Sequence, residues 1–197
     1  MLIEIRSFRQ EDLGDLYQIA VLTGHAGDDA TGMYDDPKLL GHVFVAPYTI
    51  NEPDLAFVAV DASGVAGYAI GSRDARVLER ALETGWWHEL RNRYPYDAAG
   101  TDPDQWLIER IHRPATAPDE IVDRYPSEFH IDLLPRCQGH GVGRQIIDRL
   151  LMALRQAGSP GVHCGVDPRN LAAIGFYQHL GFERIDTAGP PIFVRTL

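Results

Sequence analysis

The apolar positions of this chain switch repeatedly between a period of two and a period near 3.6, and that alternation predicts its elements. Residues 3–8 alternate apolar and polar side chains, as a strand half-facing a core does. Leu13, Leu16, Ile19 and Ala20 then share one helical face within residues 10–22, with Glu11 and Asp12 in the first turn, where the helix dipole favours anions. Residues 38–45 continue as a short apolar helix. Two apolar runs, 55–61 and 65–71, flank the turn Asp61-Ala62-Ser63-Gly64 and predict a hairpin, and Gly67, Ala69 and Gly71 on its second arm call for a close neighbour. Leu78, Leu82, Trp86 and Leu90 recur every fourth residue and predict one helix running on to Trp87 and Tyr94. A second helix opens at Asp102, with Pro103 at its first position and Gln105 at its third, and buries Leu107, Ile108 and Ile111. Pro114, Pro118 and Pro126 break up the stretch between that helix and residue 127. The remainder reads strand, glycine-rich turn, amphipathic helix (Ile147, Leu150, Leu151, Leu154), strand 162–166, helix 171–180, and two closing strands, 182–185 and 192–195.

At 197 residues, with 45% hydrophobic and 23% charged side chains, the chain is expected to form one domain over 1–197, in which residues 75–127 are a helical insertion. The net charge of −10 excludes the basic footprint that nucleic acid or an anionic membrane requires and suits a cationic substrate. No run of about 18 apolar residues is present, and Glu4 interrupts the N-terminal apolar stretch that a signal peptide needs, so the expected location is the cytoplasm. Cys137 and Cys164 define neither a disulfide framework nor a C-x-x-C site; Cys137, beside the glycine turn, reads better as a plain thiol than as a nucleophile. There is no repeat, no low-complexity tract and no metal-ligand cluster.

The chemistry concentrates after the strand containing Phe129, in Arg136-Cys-Gln138-Gly139-His140-Gly141-Val142-Gly143-Arg144. Gly139, Gly141 and Gly143 are expected to permit positive φ and close backbone approach, so that loop amides and the positive end of the next helix converge on one anion, a phosphate or pyrophosphate. A nucleotide P-loop would need Gly-Lys-Ser/Thr, but the single lysine, Lys38, lies far upstream. A dinucleotide G-x-G-x-x-G would need glycine where Arg144 stands. Gln138 to Gly143 does fit Q/R-x-x-G-x-G/A, and Arg136 to Gly141 fits it in an overlapping register. Further on, Asn170, Ala173 and Tyr177 occupy one helical face within N-L-A-A-I-G-F-Y-Q-H-L-G-F.

These two phrases at this separation resemble the GNAT superfamily of N-acetyltransferases. The stretches GDDAT, DDPKLLGHVFVAPY, WWHELRNRYP and FHIDLLPRCQGHGVGR further resemble bacterial acetyltransferases related to the C-terminal acetyltransferase-like domain of O-GlcNAcase. The resemblance implies an α/β (α+β) fold: a mixed, mostly antiparallel sheet of six to seven strands, splayed at the cofactor site, with helices on both faces and a helical insertion before the central strand. It implies acetyl-CoA as cofactor, its pantetheine arm along Ile131, Asp132 and Leu133. The diphosphate would lie on the backbone amides of Gly139, His140, Gly141, Val142, Gly143 and Arg144, with Arg144 adding charge, and Gln138 would open the cofactor loop. Asn170, Ala173, Phe176 and Tyr177 would complete the cofactor site, Tyr177 protonating the departing thiolate and the Leu133 amide serving the oxyanion.

The acceptor implied is a primary amine, on a small molecule or a peptide, which must lose a proton before it attacks. Some superfamily members carry a glutamate base where this chain has Gly165. Here Glu128, His130 and Asp132 project to one face of the central strand, Asp132 nearest the thioester and His130 with the better free pKa; Asp132 can equally be a local cap or an arginine partner. The loop after the first helix, with Asp28, Asp29 and Tyr34, reads either as a solvated connection or as an acidic rim for the amine. Trp87 and Tyr94 read as core or as part of an acceptor cage. The competing function is a cofactor-binding module without turnover, and the assembly expected is a monomer or a homodimer.

Overall fold

The computed structural model describes residues 2–97 and 100–197. Its strands are β1 (Glu4–Ser7), β2 (Ala56–Asp61), β3 (Gly64–Ser72), β4 (Ser127–Leu133), β5 (Gly161–Gly165), β6 (Glu183–Ile185) and β7 (Ile192–Thr196). Its helices are α1 (Leu13–Leu22), α2 (Leu39–Phe44), α3 (Ala46–Asn51), α4 (Ala75–Thr84), α5 (Trp86–Arg93), α6 (Asp102–His112), α7 (Asp119–Val122), α8 (Val142–Gln156) and α9 (Leu171–His179). The strands form one seven-stranded sheet in the order β1-β2-β3-β4-β5-β7-β6. All neighbours are antiparallel except β4 and β5. Alternation along the strands sends Val58, Tyr68 and Ile70 into a core shared with α1, α2, α4, α5 and α6, and Phe57, Phe129 and Phe193 into a second core with α8 and α9. The fold class implied by the resemblance is therefore the one observed.

Three local expectations need correction. The stripe from Leu78 to Leu90 belongs to two helices, because Gly85 leaves helical geometry at φ −138° and ψ −76°. Glycine costs about 1 kcal/mol in a helix interior, and tertiary packing settles the outcome: Leu78 and Leu82 bury on α4, Trp87 and Leu90 on α5. Trp86 leaves the stripe and donates its indole N–H to the His42 carbonyl at 2.9 Å. The cap of α6 is Thr101, not Asp102: Thr101 accepts from the Asp104 amide, and Asp104 returns a carboxylate to the Thr101 amide. Helix α3, with Pro47 in its first turn, has too few residues to show a period and is absent from the sequence expectation.

The small residues of β3 do meet close neighbours. A Cβ on Gly67 would lie 2.3 Å from the Leu133 side chain and 2.8 Å from the Asp132 carbonyl; one on Gly71 would lie 2.8 Å from the Glu128 carbonyl. Strand β3 thus holds β4 at the distance the site requires. No helix among the described residues is long and apolar enough to cross a membrane. Gly67→Ala is predicted to cost about 1–3 kcal/mol by overpacking, seen as a lower urea midpoint at unchanged slope; an unchanged midpoint would contradict the close approach.

Candidate active site

The parallel pair at the centre of the sheet is bonded over a short length. Ser127 pairs with Val162 and Glu128 with His163, and there the pairing of β4 with β5 ends. Tyr177 of α9 marks the point of divergence: its ring lies 5.9 Å from that of Phe129 on β4, and its hydroxyl bonds Cys164 on β5, each one residue past the last pair. On the other edge β4 stays bonded to β3. The Leu134 amide donates to the Ala66 carbonyl at 2.9 Å, so the even-numbered residues of β4 face β3 and the odd-numbered ones turn N–H and C=O toward the gap. The gap therefore presents the amides of Ile131 and Leu133, and the backbone of Asp132 belongs to the sheet. The Leu133 carbonyl is already taken by the Gln138 side-chain amide at 2.8 Å, which makes Gln138 a brace between loop and strand.

The glycine turn ends in the N-terminus of α8. Gly139 and Gly141 have φ of +75° and +74°, the left-handed region that costs other residues about 1–2 kcal/mol. Gly141 is the N-cap of α8 and no side chain caps the helix. The first amide bonded back is that of Gln145, to the Gly141 carbonyl, which leaves the Val142, Gly143 and Arg144 amides without intrahelical acceptors. Gly143 departs from the expectation. It is helical, and its missing Cβ makes room for the Phe176 ring, which would lie 2.9 Å away. His140 and Arg144 are exposed, and Arg136, of the overlapping register, is occupied by Asp61 at 2.8 Å. A cradle of unbonded amides on an open turn, continuous with a strand edge of unbonded amides, fits a diphosphate joined to an extended arm.

Helix α9 supplies the side chains of the second motif. Asn170 caps it, its side-chain oxygen accepting from the Ala173 amide at 2.9 Å; the Asn170 amide group abuts the backbone at Gly27. Ala173 and Phe176 are half-buried. Tyr177 is buried among Phe129, Phe176, Phe182 and Phe193. Burial, with Cys164 and Asp132 nearby, holds its phenol well above 10, so it keeps its proton.

Glu128, His130 and Asp132 lie on the opposite face of β4, toward α1, α2 and α3. They are deep, yet each remains partly open; the Glu128 side chain keeps 25% of its exposure, as a group at the floor of a crevice does. Burial raises Glu128 to about 7, with Glu79 and Glu52 adding and a hydrogen bond from Tyr48 opposing. Burial lowers His130 to about 4, with Arg110 adding, so the imidazole is neutral. The Tyr48 hydroxyl lies 3.1 Å from His130 Nε2 and also bonds Glu128. One hydroxyl satisfies both if Nε2 carries the proton and donates to it while it donates to the carboxylate. Asp132 is raised by burial against a hydrogen bond from Tyr68, while the Thr23 hydroxyl donates to the Ile19 carbonyl at 2.8 Å. His163 stands 3.9 Å behind Glu128.

The acceptor set divides. Trp87 and Tyr94 are 6% and 9% exposed and belong to the core, Tyr94 donating to Asp36 at 2.6 Å, so neither forms a surface cage. Asp28 and Asp29 are exposed, and Asp29 accepts from the Thr31 amide in a local turn. Tyr34 is half-buried. A groove of about 280 Å³ between α1 and the start of α2, lined by Tyr17 and Lys38 among others, contains none of the β4 side chains. Tyr48, Tyr68, Thr23 and Arg110 surround the crevice without any signal in the sequence pattern; Tyr48 and Tyr68 sit in apolar runs where a tyrosine reads as packing.

The sequence matches the acetyltransferase (GNAT) family over residues 15–182. Among curated relatives, Protein O-GlcNAcase of Rattus norvegicus is 24% identical over 193 residues, 95% of this chain and 21% of that protein. Mycothiol acetyltransferase of Nocardiopsis dassonvillei is 26% identical over 175 residues, 82% of this chain and 52% of that protein. The chain thus spans about a fifth to a half of these relatives. The crystal structure of SsHAT superposes with a TM-score of 0.89 at 34% identity, covering 100% of this chain and 98% of that one. The yncA protein of Salmonella typhimurium, solved with acetyl-CoA, superposes at 0.56 and 17% identity, covering 99% of this chain and 92% of that one. With its splayed parallel pair, its uncapped glycine turn and a family match over most of its length, the chain belongs to the acetyltransferase (GNAT) family and is an acyltransferase with acetyl-CoA as its cofactor.

Proposed function

We propose that the protein acetylates a primary amine, on a small molecule or a peptide, by direct attack in a ternary complex, with Glu128 as the final proton acceptor and Tyr177 as the proton donor. The observation that supports this most is the pairing of two edges on one strand. The free amides of Ile131 and Leu133 line the gap, and a carboxylate raised to about 7 stands on the face that opens beside it.

Acetyl-CoA supplies the activated acyl carbon and a thiolate leaving group. The amides at the start of α8 would hold the diphosphate, with Arg144 adding charge. The Ile131 and Leu133 backbone would orient the extended arm, and the Leu133 N–H would supply a donor for the oxyanion. The incoming ammonium must lose a proton. His130 takes it at Nδ1, its Nε2 proton passes to the Tyr48 oxygen, and the Tyr48 proton passes to Glu128. Tyr177, protonated at every working pH, gives its proton to the sulfur. Asp132, committed to Tyr68, orders the crevice wall instead of serving as the base.

With Glu128 as acceptor, kcat/KM should rise with pH through about 7 and level off above it. Glu128→Gln should lower it about 100-fold or more and remove that acidic limb, and Tyr48→Phe should approach the same loss. An Asp132→Asn variant that abolishes the limb while Glu128→Gln retains it would assign the base to Asp132. The same group makes a separate prediction for stability. Its folded pKa lies above the ordinary value of 4.5, so ionising it in the fold is unfavourable and stability falls as pH rises from about 4.5 to about 7. Glu128→Gln should therefore gain up to about 3 kcal/mol over the parent above pH 7, with no difference near pH 4; equal stabilities at both pH values would contradict the raised pKa.

Tyr177→Phe should cut turnover about tenfold or more with coenzyme A affinity little changed; an unchanged rate at all pH values would remove Tyr177 from its role. A thiol-release assay over polyamines, amino acids, aminoglycosides and basic peptides tests the reaction as a whole. Coenzyme A binding with no acceptor-dependent release on any of them would leave a cofactor-binding module.

A further inference from the structure

Among the described residues, Arg110 of α6 is a cation without a counter-ion. Its guanidinium stacks 4.4 Å from the centroid of Trp106 and 5.7 Å from that of Phe44. The Phe44 ring in turn lies 5.7 Å from that of His130, so Arg110 and His130 flank one aromatic wall of the crevice. Arg110 Nε is buried and has no hydrogen-bond partner, and among the described residues no carboxylate pairs with the guanidinium. Neighbouring arginines of α5 and the end of α6 are spoken for: Arg91 by Glu83, Arg93 by Asp36 and Arg113 by Glu109.

Burying part of a guanidinium without an anion is costly, and the cost is visible in the direction of its shift: burial alone lowers the Arg110 pKa and no acidic group raises it. Stacking on Trp106 offsets part of this but leaves the buried Nε without an acceptor. A guanidinium held by two rings presents a bidentate site for a carboxylate. In a chain with 28 acidic residues, leaving this half-buried guanidinium unpaired points to an acid that arrives from outside.

We propose that Arg110 seats a carboxylate carried by the acceptor, so that the substrate class is an amine bearing its own carboxylate, an amino acid in the broad sense, and not a polyamine. This rests on the N-acetylation proposed above: the amine would be directed to the Glu128–Tyr48–His130 chain and the carboxylate to Arg110. It also revises the expectation of a purely cationic acceptor that the net charge of −10 suggested.

The test compares matched acceptors that differ only at the carboxylate, such as glycine and glycinamide, 4-aminobutyrate and butylamine, glutamate and its diamide, in a thiol-release assay. The parent enzyme should show a KM for the acid at least about tenfold below that of the neutral partner. Arg110→Gln should erase that difference by raising the KM of the acid alone, Arg110→Lys should restore part of it, and both should bind coenzyme A as the parent does. Equal KM values for acid and amide in the parent, or an Arg110→Gln variant that keeps the preference, would overturn the carboxylate seat while leaving amine acetylation standing. Calorimetry of the coenzyme A complex with the corresponding N-acetyl acids separates the two claims from the other side. Binding that Arg110→Gln abolishes, with no acceptor turned over, would support the seat and sink the transfer reaction.

Discussion

The loss of hydrogen bonding between β4 and β5 beyond Glu128 and His163 is the constraint on which the site depends. A parallel pair in the middle of a sheet normally satisfies its backbone along its whole length, and each buried N–H left unpaired costs about 1–3 kcal/mol. Here Tyr177 packs across the point of divergence, its hydroxyl on Cys164 of β5 and its ring against Phe129 of β4. The amides of Ile131 and Leu133 must then be satisfied by something that enters the gap. The glycine turn extends the same condition past the end of the strand, because an uncapped α8 leaves further amides pointing outward. An extended ligand ending in a diphosphate satisfies both sets at once.

The second feature is an inversion of ordinary acid–base order on the other face of β4. A carboxylate raised to about 7 stands beside an imidazole lowered to about 4, because burial penalises whichever form is charged. One tyrosine hydroxyl joins them. The glutamate, not the histidine, is therefore the group that titrates near neutral pH, and the histidine stays uncharged there. Arg110, unpaired beyond Phe44, contributes to holding His130 neutral and gives the crevice a positive end opposite its acidic one.

Much of this is legible in the sequence where a local rule decides the outcome. Strand alternation and helical spacing place β2, β3, β4, α8 and α9 to within a residue or two, and the Q-x-x-G-x-G phrase locates the helix start at which Gly141 takes a left-handed conformation. Gly143 misleads because a glycine needed for packing against Phe176 looks the same in sequence as one needed for a turn. Trp87 and Tyr94 mislead because spacing cannot say whether an aromatic stripe faces a core or a cleft. Spacing favours Asp132 over Glu128 because proximity along β4 can be counted, whereas the burial, Tyr48 and neighbouring carboxylates that act on Glu128 come from α3, α4 and the segment before β2, far away in sequence. Arg110 carries no signal at all, since an absent partner shows only in three dimensions.

Whether the separated edge of β4 and the start of α8 hold acetyl-CoA through backbone amides is read by amide hydrogen exchange monitored by NMR as coenzyme A is added. The Ile131, Leu133, Val142, Gly143 and Arg144 amides should become protected on binding while Asp132, already bonded within the sheet, changes little. Protection confined to other parts of the chain, or binding that leaves the Leu133 and Gly143 amides exchanging as before, would contradict it.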